Sequence, residues 1–156
     1  RTFANWGVDY IKEDSCNVQD DGPDKAIEQF RLMREAINST EQPVVFAICG
    51  WKPWYAPMGR LLANSWRISA DVVCWASVWY AVALNEPLAS FAGPGGWNDP
   101  DMLLGSTPGA QFTLLPEQVQ TQFALWAIMS APLILGARVR SLSQFDLSGY
   151  SNEEVI

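Results

Sequence analysis

The sequence contains no histidine. Its absence excludes Ser-His-Asp triads, Cys-His dyads and every metal site that needs an imidazole ligand. Chemistry must then be carried by carboxylates, lysine, arginine or the three cysteines, which are Cys16, Cys49 and Cys74. The cysteines form no Cys-x-x-Cys pair, and their odd number leaves at least one thiol free or paired outside the chain. We expect neither a metal ion nor a cofactor.

Basic residues and long apolar runs are also scarce. The 156 residues include 10 Lys and Arg against 17 Asp and Glu, so the formal net charge is −7. This balance supplies no basic patch for phosphates, and we expect neither nucleic acid nor a membrane surface as a partner. The two longest apolar segments, residues 72–84 and 123–136, are shorter than the about 20 residues that a membrane span requires. They are typical of buried core segments.

Apolar, strand-like segments alternate with helical segments along the chain. Hydrophobic residues make up 49% of the sequence and charged residues 17%, which is typical of a globular domain. We predict helices that begin at Pro23, Trp75 and Pro116. In the first of them apolar residues recur at helical spacing, at Ala26, Phe30, Met33 and Ile37. We predict five strands: at residues 8–11, 44–49 and 68–73, a fourth strand with its loop within 97–104, and a fifth at 133–135.

This alternation implies parallel strands joined by right-handed crossovers. Two α/β architectures fit it: an open doubly wound sheet, or part of a (β/α)8 barrel. An open sheet of this kind is expected to carry a Gly-rich phosphate loop after an early strand, and the sequence has none. A complete barrel needs about 250 residues. The pattern alone leaves both architectures open, and both place their sites at the carboxyl ends of the strands.

Charged residues cluster at these predicted strand ends. Lys12 and Asp14 follow the first strand, Arg67 and Asp71 lie at the third, and Asp101 belongs to a polar segment at the fourth. Two carboxylates from different strand ends, each beside a cation, suit a glycosidase, because one must be ionised to attack an anomeric carbon while the other holds a proton. The loop at residues 50–65 is rich in Trp, Tyr and Pro and could offer a flat apolar surface to a sugar ring.

A structural interpretation of the same residues weighs about evenly against this hypothesis. A single aspartate at a strand end is more often a helix cap or a hydrogen-bonding loop residue. The eight tryptophans are individually more typical of a core than of a sugar platform. Residue types and spacing alone therefore favour a carbohydrate-active enzyme and a barrel fragment of unknown role about equally.

Five segments in the same order resemble glycoside hydrolase family 27, the α-galactosidase and α-N-acetylgalactosaminidase family. They are residues 6–16 (WGVDYIKEDSC), 46–51 (FAICGW), 64–71 (NSWRISAD), 93–103 (GPGGWNDPDML) and 122–133 (QFALWAIMSAPL). The resemblance implies an incomplete (β/α)8 TIM barrel, with strands four to eight and most of their helices. Residues 1–156 would then be a partial catalytic domain without the first barrel strands and the C-terminal β-sandwich.

The resemblance also implies roles for individual residues. Asp14 matches the nucleophile of a retaining double displacement on a terminal α-linked galactose, and Asp71 matches the general acid/base. Their carboxyl groups are then expected about 5–5.5 Å apart. The substrate-binding positions that the resemblance implies are Lys12, Cys16, Gly50, Trp51, Arg67, Asp101 and Met102. Cys16 matches a cysteine that forms a disulfide with a partner upstream of this chain.

Two residues depart from the family pattern. Gly50 stands where the family carries the residue that selects the 2-substituent of the sugar, so the resemblance implies no preference for a 2-hydroxyl. Glu13 replaces an aromatic residue between Lys12 and Asp14, and we expect it to add a third carboxylate beside the nucleophile.

Three functions follow as hypotheses. The first is a secreted, lysosomal or vacuolar α-galactosidase, with a galactose-type sugar as its partner. The second is an α-N-acetylgalactosaminidase or β-L-arabinopyranosidase with the same chemistry, and the third is a sugar-binding relative that has lost catalysis. A glycosylation sequon at residues 38–40 agrees weakly with secretion. A partial barrel would expose sheet edges, so we expect the isolated chain to fold poorly or associate, and to hydrolyse little.

Overall fold

The structure, a computed structural model, describes residues 1–16 and 22–156. Four strands form one parallel sheet: β1 (Tyr10–Asp14), β2 (Val45–Cys49), β3 (Ser65–Arg67) and β4 (Trp97–Asp99). The α-helices of the described residues are α1 (Thr2–Asn5), α2 (Pro23–Asn38), α3 (Gly59–Leu62), α4 (Trp75–Asn85), α5 (Pro116–Ile128) and α6 (Gln144–Tyr150). Short 3-10 helices lie at Pro53–Met58, Glu86–Phe91 and Val139–Ser141.

The order of the strands distinguishes the two predicted architectures. Each strand pairs in parallel with the one that precedes it in the chain, giving the spatial order β1-β2-β3-β4. A barrel wall is built in this way, whereas the strand order of a doubly wound sheet reverses at a switch point. The described sheet therefore has the topology of part of a barrel.

The predicted helices and the second strand are confirmed, but the other strands differ in position. The first strand lies at Tyr10–Asp14 instead of residues 8–11, because its polar half stays in the ladder with β2, up to the pair Asp14 and Cys49. The prediction of a third strand at residues 68–73 is wrong. The strand is Ser65–Arg67, and the chain beyond it leaves the sheet, since the Val72 amide bonds a carboxylate from the next strand end.

The fourth strand and its loop lie within the predicted range, whereas the predicted fifth strand is reduced to a bridge. β4 ends at Asp99, because Pro100 has no amide to donate and Asp101 takes a positive φ of 92°. Residues 133–135 form only an isolated parallel bridge, between Leu103 and Leu135.

Two apolar clusters hold the layers together. In the first, side chains from one face of the sheet, including Phe46, Ile48 and Trp66, pack against Phe30 and Ile37 of α2. The spacing of these two helix residues confirms the predicted apolar stripe. The second cluster joins α4 and α5 to the chain after β4, through the buried residues Val72, Val78, Ala81, Leu103, Leu104, Leu114, Val119, Phe123, Trp126 and Ala131.

Strand alternation leaves the opposite face of the sheet for polar residues. In β1 the side chains of Tyr10, Lys12 and Asp14 are exposed, while Ile11 and Glu13 between them are half-buried. Of the helices described, none is both long and apolar enough to cross a membrane.

Candidate active site

Four polar side chains lie side by side at the carboxyl ends of the strands. Asp14 at the end of β1 pairs with Cys49 of β2, and Arg67 at the end of β3 pairs with Asp99 of β4. The Arg67 guanidinium contacts the Cys49 sulfur at 3.6 Å, which joins the two pairs. Paired residues of parallel strands point to the same face of a sheet. The sheet therefore brings the predicted polar strand ends together at one rim.

Arg67 is the centre of this rim. Its side chain is 2% exposed, yet it contacts two carboxylates: Asp101 at 2.9 Å and Asp71 at 3.1 Å. One guanidinium nitrogen also donates to the Ser69 carbonyl at 3.2 Å. Burial lowers the pKa of the guanidinium, but the attraction of Asp101 and Asp99 and the hydrogen bond with Asp71 outweigh it, so the pKa is raised overall. Arg67 is therefore a fixed buried cation whose charge is balanced by the acids around it.

Asp101 is the buried partner of Arg67. One carboxylate oxygen contacts the guanidinium, and the other accepts a hydrogen bond from the Val72 amide at 2.7 Å. Its own amide donates to the Asp99 carboxylate at 2.8 Å, and its carbonyl accepts from the Trp126 indole at 2.6 Å. Every polar group of Asp101 is thus bonded within the protein.

Asp71 differs from Asp101 in its exposure to solvent. Its side chain is 68% exposed, although one oxygen is held by Arg67. It borders an open cavity of about 360 Å³ that is lined by Trp51, Ala70 and Asp71 itself. Trp51 has a positive φ of 55°, which turns the chain after β2 at this cavity. Asp71 can therefore meet a ligand from solvent while its other oxygen stays anchored.

Cys16 lies within electrostatic reach of two carboxylates. Electrostatic repulsion by Asp14 is the largest cause that raises the pKa of the exposed Cys16 thiol, and Asp71 contributes to the same shift. Asp14 lies at the same end of the sheet as Arg67, which holds Asp71. The three cysteines are free in the described residues, with Cys49 buried and Cys16 and Cys74 exposed.

Lys12 lies on the same face as Asp14, two residues earlier in β1. Burial raises the pKa of Asp99, and it raises the pKa of Cys49 to about 12. The positive charge of Lys12 opposes both shifts, so Lys12 lies within electrostatic reach of both groups. The Cys49 thiol therefore stays neutral, and the charges of the rim are those of lysine, arginine and the aspartates.

Met102, Gly50 and Glu13 are three further residues that the sequence predicts at or beside the site. Met102 follows Asp101 and is 41% exposed. A side chain at Gly50 would point into the packed layer, because an added Cβ would lie 2.1 Å from the Tyr55 ring. The expectation that Glu13 adds a carboxylate beside Asp14 is wrong. Glu13 pairs with Ile48 and so lies on the apolar face of the sheet, since successive residues of a strand alternate in direction.

Sequence reasoning missed Asp99 and Trp126 as parts of this site. In the sequence, Asp99 is one residue of the polar segment at the fourth strand, and Trp126 is one of eight tryptophans that are individually more typical of a core. In the structure Gln122, one turn before Trp126, is also fully buried, and its side-chain oxygen accepts from the Leu104 amide at 2.9 Å. Among the described residues, no group of three or more Cys, Asp or Glu side chains is arranged to hold a metal ion.

Comparison with known proteins identifies the family to which the chain belongs. The family model described as Alpha galactosidase A (Melibiase_2) matches residues 1–156. An alpha-galactosidase of Oryza sativa subsp. japonica is 38% identical over 158 residues, a match that covers 100% of this chain and 36% of the relative. The chain thus spans about a third of the length of the curated relatives it matches.

Solved structures match the fold over the same extent. The alpha-galactosidase of Saccharomyces cerevisiae superposes with a TM-score of 0.86 at 30% identity, covering 99% of this chain and 39% of the yeast protein. Another structure of alpha-galactosidase from this yeast contains raffinose. A family 27 β-L-arabinopyranosidase of Geobacillus stearothermophilus, solved with arabinose, matches with a TM-score of 0.84 at 27% identity, covering 98% of this chain and 38% of its own. The chain belongs to the alpha-galactosidase family, glycoside hydrolase family 27, and its sheet is part of that family's barrel.

Proposed function

We propose that this chain carries the reacting carboxylates of a retaining α-galactosidase. The observation that carries the proposal is the arrangement at the rim, where Asp14 ends β1 beside Cys49, the Cys49 sulfur contacts Arg67 at 3.6 Å, and Arg67 holds Asp71 at 3.1 Å. Family membership and relatives named as alpha-galactosidases support the same activity. We propose that residues 1–156 work as one part of a larger catalytic barrel.

In the first step, the Asp14 carboxylate attacks the anomeric carbon and forms a glycosyl-enzyme ester. The bond from that carbon to the leaving oxygen breaks, and Asp71 gives its proton to the oxygen. Because Arg67 donates to the Oδ1 atom of Asp71, the other oxygen, Oδ2, is the one that can carry the transferred proton. In the second step Asp71 takes a proton from water, whose oxygen attacks the same carbon and releases Asp14.

The remaining rim residues bind and orient the sugar in this proposal. Lys12 donates from the same face as the nucleophile, and Met102 and Trp51 offer apolar surface beside Asp101 and Asp71. Each oxygen of the Asp101 carboxylate already accepts one bond from the protein, so a sugar hydroxyl would use a remaining lone pair. Cys16 and Gly50 complete the proposed binding positions.

A β-L-arabinopyranosidase is the second candidate. It is supported by the structural likeness to the Geobacillus enzyme solved with arabinose. The two sugars differ at the carbon that bears the exocyclic hydroxymethyl group of galactose, so the same reacting carboxylates serve both reactions.

The complete gene product should be assayed on the nitrophenyl glycosides of α-galactose, α-N-acetylgalactosamine and β-L-arabinopyranose. We expect turnover of the α-galactoside and its loss in Asp14→Asn, because an amide cannot form the ester. NMR of the first-formed product should show the α-anomer, since two displacements retain the configuration. Asp9→Asn is the matched control: this exposed aspartate precedes β1 at the opposite end of the strand.

The other outcomes separate the alternatives. Turnover of only the arabinopyranoside would select the second candidate. Binding of galactose without turnover of any of the glycosides would contradict an enzymatic role and favour a sugar-binding relative.

We also propose a secreted, lysosomal or vacuolar location. It is supported by the glycosylation sequon at residues 38–40, since Asn38 is exposed at the end of α2. A shift in electrophoretic mobility after treatment of the native protein with an N-glycan-cleaving enzyme would test it.

A further inference from the structure

The backbone of Asp101 is strained at the centre of the site. It has a φ of 92°, a conformation that residues with a Cβ rarely adopt. Such a conformation persists only where the surrounding structure enforces it. Asp101 is 5% exposed, so water contributes little to holding it, and protein groups must do so.

Two buried side chains hold this backbone from opposite ends. A carboxylate oxygen of Asp99 accepts the Asp101 amide at 2.8 Å, and the Trp126 indole donates to the Asp101 carbonyl at 2.6 Å. Asp99 is 7% exposed and Trp126 is fully buried. The strand end of β4 and helix α5 therefore hold the peptide groups of Asp101 between them.

Asp101 in turn holds Asp71 in position through two sets of contacts. One Asp101 oxygen accepts the amide of Val72, the residue after Asp71, at 2.7 Å. The other contacts the Arg67 guanidinium at 2.9 Å, and Arg67 contacts the Asp71 carboxylate at 3.1 Å. A rotation of the Asp101 side chain would thus move both the peptide beside Asp71 and the cation that anchors it.

We propose that Asp99 and Trp126 are positioning residues that set the carboxyl group of Asp71 by clamping the backbone of Asp101. The inference rests on the proposed function, because only a glycosidase gives Asp71 an acid role. Asp99 acts here as a hydrogen-bond acceptor. Asparagine can therefore replace it, and alanine cannot.

The test compares two substrates of the complete gene product. A nitrophenyl α-galactoside has a good leaving group and needs little proton transfer, whereas an alkyl α-galactoside needs the proton from Asp71. In Asp99→Ala we expect kcat/KM for the alkyl galactoside to fall about 10²-fold further than for the nitrophenyl galactoside, the scale of general acid catalysis. Asp99→Asn should keep the ratio of the two substrates near that of the wild type.

Asn98→Ala is the matched control for a general loss of packing. Asn98 is the neighbouring residue on the opposite face, where it accepts from the Trp66 indole at 2.7 Å and donates to the Leu88 carbonyl at 2.9 Å. It should lower both rates equally, through the amount of folded enzyme. An equal loss on both substrates in Asp99→Ala, or an Asp99→Asn variant as impaired as alanine, would overturn the proposal.

A second variant keeps the test independent of the stability of Asp99→Ala. Trp126→Phe keeps an aromatic ring in the core but removes the indole donor, and it should shift the substrate ratio in the same direction. An unchanged ratio in this variant would also contradict the clamp. Failure of the proposed function would look different, because the wild type would then hydrolyse neither galactoside.

Discussion

Arg67 shows how a single residue can serve the fold and the site together. Its guanidinium is buried among Asp71, Asp101 and Cys49, and it is held on the last position of β3. A buried cation of this kind is tolerated because opposite charges and hydrogen bonds surround it. The sequence predicted the charge pair of Arg67 and Asp71 but not the burial, because burial depends on chain segments that are distant in sequence.

Gly50 provides a test of packing at the scale of one residue. In Gly50→Ala the new Cβ would lie 2.1 Å from the Tyr55 ring, which is itself buried, so the backbone beside Cys49 must shift. We expect a loss of about 1–3 kcal/mol in the free energy of unfolding, the usual cost of overpacking. Urea unfolding of the complete gene product measures it.

Gly149→Ala is the control for this substitution. Gly149 lies in α6 with open space around its Cβ position, so alanine there should be neutral or stabilise by about 0.5–1 kcal/mol. If Gly50→Ala were as stable as this control, the contact with Tyr55 would not constrain the residue.

At the scale of elements, the alternation of β1 separates two groups of charges. Lys12 and Asp14 face the rim, while Glu13 faces the apolar side, where one of its oxygens is buried without a hydrogen-bond partner in the described residues. Burial therefore raises the pKa of Glu13 above its ordinary value of 4.5. This acid favours the folded state when protonated and opposes it when ionised.

A dependence of stability on pH follows from that shift. Below about pH 4.5 Glu13 is protonated in both the folded and the unfolded state, and its favourable contribution to the free energy of unfolding is fully present. As the pH rises through the raised pKa of the folded state, that contribution is lost. Glu13→Gln should therefore be more stable than the wild type near pH 7, with a difference that shrinks toward pH 4.5 in urea unfolding. A constant difference across this range would contradict the shift, and the exposed Glu153→Gln controls for the loss of one charge.

The elements also show which parts of the fold the sequence could predict. The second strand was predictable because it is a continuous run of apolar residues, and helix α2 because its apolar residues recur at the helix period. The ends of β3 and β4 were not, because they depend on side chains that bond distant backbone amides, as Asp101 does with Val72. The rim itself was predictable, since parallel strands bring their carboxyl ends together. The hydrogen bonds that hold the backbone of Asp101 were not, because their donors and acceptors follow no helix or strand period in the sequence.

At the scale of the whole molecule, the sheet ends at two strands that have one neighbour each in the described residues, β1 and β4. Tyr10 and Val45 are 42% and 49% exposed and lie paired in the first two strands, next to one of these edges. Open strand edges beside exposed apolar side chains promote association.

We therefore expect the 156-residue chain, expressed alone, to form oligomers in sedimentation experiments. Val45→Lys and Tyr10→Lys should reduce that association, because a charge beside an open edge opposes pairing. A monomer that unfolds cooperatively without these substitutions would contradict this expectation.

The placement of Arg67 has a consequence for the stability of variants at this rim. In many enzymes the reacting groups lower the stability of the fold, and replacing them raises the free energy of unfolding. Here the loss of Asp101 would leave the positive charge of Arg67 in the interior without its buried partner. Substitutions of Asp101 should therefore also shorten the lifetime of the folded protein. Substitutions of these residues would then lower the amount of folded protein, separately from any effect on the proposed activity.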